Sequence, residues 1–128
     1  MSYYFTTVVS QGFDEAVEAV TEELKTEGFG VLTDIDVQAT LKKKLDVDFR
    51  RYRILGACNP AFAHQALQLE SHIGTMLPCN IIVQERHDGR TEVSAINPLE
   101  SMKAVANAEL EGIAGEVAQK LIRIIERL

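Results

Sequence analysis

A tight hairpin constrains this chain more than any other feature. Ile81-Ile82-Val83-Gln84-Glu85-Arg86 reads as a strand, Asp88-Gly89 is a turn signal, and 91–97 pairs back. One antiparallel pair is thereby fixed in a chain whose other strands alternate with helices, which excludes an all-parallel doubly wound sheet.

The remaining elements follow from periodicity. Residues 2–9 form a first strand. Phe13, Val17, Val20 and Leu24 recur at helical spacing and Gly28 stops the run, predicting a helix over 13–27 whose other face carries Glu15, Glu18, Glu22 and Glu23. Phe29, Val31, Thr33, Ile35 and Val37 alternate along a second strand, with Phe29, Val31 and Ile35 on one side and Asp34 and Asp36 on the other. Asp36 caps a short helix containing Leu41 and Leu45. Residues 51–58 give a third strand. Asn59 at N-cap and Pro60 at N1 start a helix that places Phe62, Ala66, Leu69 and Ile73 on one face and ends at Gly74. After the hairpin, Pro98 opens a short helical turn, and a long last helix carries Leu110, Ile113, Val117, Leu121, Ile124 and Leu128. The order is β-α-β-α-β-α-β-β-α. It predicts an α+β fold with an antiparallel or mixed sheet of about five strands and helices packed mainly on one face.

Composition sets the functional frame. A chain of 128 residues with 46% hydrophobic content makes one domain, 1–128, with a core that needs no disulfide or metal. Two cysteines are too few for a secreted disulfide framework. A net charge of −6 argues against a dedicated binder of nucleic acid or anionic membranes. Neither a signal peptide nor a membrane-length apolar run is visible, so the expected compartment is the cytoplasm, where both thiols stay reduced.

Two similar segments are the candidate chemistry. Cys58-Asn59-Pro60 leaves one strand and Cys79-Asn80 enters another, so neighbouring strands would bring the thiols together. Cys58 also precedes a helix N-terminus, whose unpaired N–H groups favour a thiolate. A redox, nucleophilic or metal-binding pair competes here with two small buried hydrophobes, and no CxxC or Cys/His zinc spacing accompanies them. His64, one turn into the helix, is the candidate partner for either thiol; His72 is about 12 Å further along and too far to share a metal with it. His87 sits at the hairpin turn. Asp34, Asp36 and Glu70 are weaker acid–base candidates, because a cap or a solvated position explains them. Nothing Gly-rich precedes the Asn59 helix, so no nucleotide loop is indicated and no cofactor is named.

The cluster Lys42, Lys43, Lys44, Arg50, Arg51 and Arg53 reads as a solvated face, with an anionic docking patch as the alternative. The last helix carries a broad apolar stripe, with Ile122, Ile124 and Ile125 beyond a narrow seam; most of it should cover the sheet, and the excess suggests a homodimer.

Three stretches bear a resemblance. Gly28 to Leu45, Tyr52 to Pro60 and Ile73 to Val83, together with Asp88-Gly89 and Asn97-Pro98…Met102, resemble the prokaryotic domain-of-unknown-function family numbered 302. Its Cys-Asn-Pro and Leu-Pro-Cys-Asn segments fall on Cys58-Asn59-Pro60 and Leu77-Pro78-Cys79-Asn80; Met76-Leu77 stands where Leu-Leu is frequent. The resemblance implies a small α+β domain similar to the TATA-binding-protein-like class, and it carries no catalytic or binding assignment. The preferred reading is a small-ligand or partner-binding module, non-enzymatic, with Cys58, Asn59, Pro60, His64, Cys79 and Asn80 as candidate ligand-binding residues. A thiol-dependent redox or metal-binding protein and an assembly protein are the alternatives, and nucleic-acid binding is weaker still.

Overall fold

The computed structural model describes residues 2–128. Strands β1 (Tyr4–Val9), β2 (Gly30–Asp36), β3 (Tyr52–Cys58), β4 (Cys79–Glu85) and β5 (Thr91–Ile96) form one sheet in the order β1-β5-β4-β3-β2. Every neighbouring pair is antiparallel. The helices are α1 (Phe13–Thr26), α2 (Val37–Leu45), α3 (Pro60–Leu69), the short α4 (Pro98–Ser101) and α5 (Ala108–Arg127).

Helices α1 and α5 cover one face of the sheet. Val20, Leu24, Leu121 and Ile124 from the helices meet Leu55, Ile81, Val83 and Val93 from the three central strands, all nearly inaccessible to water. Helix α1 ends as its sequence suggests. Gly28 adopts φ +85°, and the amides of Gly28 and Phe29 donate back to the carbonyls of Lys25 and Leu24. The hairpin closes around Gly89 at φ +81°, with its amide donating to the Arg86 carbonyl.

Three sequence expectations change. The helix after Pro60 does not run to Gly74. Glu70 turns extended, and a 3-10 helix (Ser71–Met76) follows, with the Glu70 carboxylate accepting from the His72 amide. Ile73 is buried all the same, but His72 leaves the α3 stripe that periodicity had assigned it. The second correction concerns β2. A bulge between Val31 and Thr33 sets the exposed Leu32 out of register, so every later side chain changes face. Asp34 now pairs opposite Leu55 on the helix-covered face, and Ile35 lies opposite Ile54 on the open face, 47% exposed. Arg53 donates to both carboxylate oxygens of Asp34, and this fork holds the Asp34 carboxyl below its usual range. Third, Ile124 and Ile125 are buried within the chain's own core, which leaves only Ile122 of the supposed apolar excess partly exposed.

Gly56 is where β2, β3 and the segment entering β4 press together. A Cβ there would lie 2.7 Å from Cγ of Pro78 and would overlap the Thr33 hydroxyl. Gly56→Ala is therefore expected to cost about 1–3 kcal/mol through overpacking. Urea denaturation measures it; an unchanged midpoint would show that the two neighbours move aside freely.

Candidate functional site

The end of the sheet where β3 stops and β4 starts is the chemically distinctive region. Ala57 pairs with Cys79 and Gly56 with Asn80, so β3 and β4 are neighbours and the two Cys-Asn segments lie side by side. Both thiols are free and partly exposed. Helix α3 leaves from Cys58-Asn59, and α5 passes over the same corner. Alanines at facing positions, Ala63 and Ala66 on α3 and Ala114 on α5, leave space between them.

The result is a cavity of about 330 Å³ that opens to solvent. It is lined by Ala57 and Cys79 from the sheet, Phe62 and Leu67 from α3, Val117 from α5, and Pro98 and Met102 at α4. Beneath it a satellite cluster of Ala66, Ile73 and Leu110 joins α3, the 3-10 helix and α5.

The six sequence candidates divide. Cys58, Asn59 and Cys79 line the cavity. Pro60 is the first residue of α3 and points away, and His64 is exposed on α3, outside the cavity wall. Asn80 follows Cys79 along β4 and therefore faces the other side of the sheet, among Tyr52, Ile82 and Ser94. The proposed pairing of His64 with a thiol has no counterpart in this arrangement. Asn59 occupies the N-cap position without capping. Its side-chain amide instead donates to the backbone carbonyl of Glu27 at 3.2 Å, tying the start of α3 to the end of α1.

Burial pushes the Cys79 thiol up to about 11, with the neighbouring Cys58 adding to the rise. Cys79 is accordingly an uncharged thiol at neutral pH, a wall group rather than a ready nucleophile. Among the described residues no cluster of three His, Cys, Asp or Glu side chains has metal-binding geometry.

The basic cluster is largely spent on the fold. Arg51 bonds Asp14 and stacks on Phe13, Arg53 bonds Asp34, Arg50 bonds Gln84 and stacks on Phe49, and Lys42 pairs with Asp46 and Asp48. On the open sheet face, Gln84, Glu92, Ser94 and Thr6 hydrogen-bond one another. No helix among the described residues is long and apolar enough to cross a membrane.

Phe29, Leu32, Leu67 and Val117 are wall residues that periodicity alone does not single out, since each reads as ordinary core or surface. Pro98 and Met102 had a faint signal, because they fall in the Asn97-Pro98…Met102 stretch. Asn97 there is 1% exposed; its carboxamide accepts from the Leu99 amide and donates to the Ser2 carbonyl, fixing α4 at the cavity's end.

A family model described as "Domain of unknown function DUF302" matches residues 5–128. The chain belongs to this family. The crystal structure of an uncharacterized conserved DUF302 protein from Bacillus stearothermophilus is similar to it, with a TM-score of 0.92 and 31% identity over 99% of this chain and 98% of that one. No curated protein matches the sequence.

Proposed function

We propose that this DUF302 protein is a ligand-binding domain that takes a small, largely apolar molecule into the cavity between α3, α5 and the Cys58/Cys79 corner. One observation carries the reading: an almost wholly apolar hollow of about 330 Å³ beside a core that is otherwise closely packed. An apolar cleft of this size lies within the range of small-molecule pockets. The Cys58, Asn59 and Cys79 side of the wall gives the two distinctive segments a shared task, that of shaping the hollow. Cys79 contributes as a neutral, polarisable group, in keeping with its raised pKa.

The test uses an uncharged apolar fluorescent probe, N-phenyl-1-naphthylamine, titrated into the wild type and Ala63→Trp. Ala63 is half-buried on the cavity wall, so an indole there occupies the hollow without displacing the sheet core. The expected result is a loss of probe affinity of roughly tenfold or more, about 1.4 kcal/mol. The melting temperature should be kept or raised, because a void is filled. Equal probe affinity in the two proteins, or none in the wild type, overturns the proposal.

A further inference from the structure

We infer that the molecule held in the cavity is an apolar body with a single anionic head group, carboxylate or phosphate, and that Lys120 receives the head. This rests on the cavity reading above. It is drawn from the charges beside the cavity rather than from the cavity itself.

Glu27, at the end of α1, is buried to 9% exposure and surrounded by three cations of α5. Arg123 takes it with two bonds, 2.9 and 3.2 Å, and Arg127 reaches it at 2.8 Å while lying 3.7 Å from Glu23. Both guanidiniums are held by the Glu27 carboxylate, while the buried Oε2 of Glu23 has no hydrogen-bond partner. Lys120 is the cation left over. Its Nζ is 3.6 Å from Glu27, beyond hydrogen-bond length, and sits 5.9 Å from the ring centroid of Phe62.

Phe62 lines the cavity, and so does Val117, one turn before Lys120 on the same face of α5. Asn59, another wall residue, is bonded to the Glu27 backbone carbonyl. The cavity and the charge cluster therefore share a border. Three positive side chains stand against two carboxylates there, and the one bordering the cavity is a lysine only 27% exposed. An apolar wall adjoining one under-paired ammonium suits an amphiphile with one negative charge, since a partly desolvated ammonium gains most from a charged acceptor.

Calorimetric titration at low salt with decanoate, decyl phosphate and decanol, each below micelle formation, tests this on the full chain. At least one anion should bind roughly tenfold or more tighter than decanol. Lys120→Gln should erase that preference while leaving decanol affinity unchanged, and Lys120→Arg should retain it. The ranking of decanoate against decyl phosphate then distinguishes the two head groups. If decanol matches both anions in the wild type, or Lys120→Gln keeps the preference, the inference is overturned while the cavity reading stands. If none of the three binds, both fall.

Discussion

Leu121→Ala is expected to lower the unfolding free energy by about 2–5 kcal/mol, a large part of the stability of a domain this size. Leu121 is fully buried where α5 crosses the sheet, within the cluster of Val20, Leu24, Leu55 and Ile81. Removing its isobutyl group loses the transfer energy of the buried carbons and opens a void that a sheet flanked by two helices cannot close. The melting temperature should fall by on the order of 10 °C. Leu45→Ala is the control, because Leu45 is 66% exposed on α2 and its truncation should stay within about 0.5 kcal/mol. Similar losses for the two variants in urea melts would contradict the packing described.

The second large effect concerns Glu27 and acid. Its carboxyl is held at about 2 instead of the ordinary 4.5, above all by the hydrogen bonds from Arg123, with Arg127 assisting and burial opposing. Because the folded value is the lower one, the ionised carboxylate stabilises the fold fully above the ordinary carboxylate range. That contribution drains away as pH falls from about 4.5 toward 2. Glu27→Gln should therefore cost about 1–3 kcal/mol at pH 7, nearer the lower end because both guanidiniums are over 40% exposed to screening water. At pH 2 the variant and the wild type should converge. Stability curves running parallel from pH 7 to pH 2 would show that the carboxylate has no such role. Since the Glu27 carbonyl also anchors Asn59, weakened ligand uptake in the same variant would link this corner to the cavity.

Much of the fold is legible locally. The Asp88-Gly89 turn, the Asp36 cap and the Gly28 stop behave as their residue types require, because each depends on contacts within a few positions along the chain. The apolar spacing of α1 and α5 likewise identifies the faces that meet the sheet. The reading of β2 failed after Leu32 because one bulged residue reverses every later side chain, and strict alternation cannot signal it. The helix after Pro60 was drawn too long because Ile73 keeps apolar spacing; Glu70 breaks the helix and Ile73 is buried from a 3-10 turn instead.

The site divides along the same line. The two Cys-Asn pairs mark the region by sequence alone, for they flank strand ends, while the pairing of β3 with β4 makes those ends neighbours. Only the packed structure decides what each residue does there. Alternation along β4 sends Cys79 toward the helices and Asn80 to the open face; Asn59 leaves its cap for a carbonyl 32 residues away; and the hollow depends on where α5 crosses α3. Such outcomes are set by contacts between residues far apart in the chain. By itself, then, the sequence determined most of the elements, one antiparallel hairpin within an antiparallel or mixed sheet, and the family. The tertiary structure decided which side chains surround a common space and which charged groups of α1 and α5 border it, because both depend on distances that no local pattern encodes.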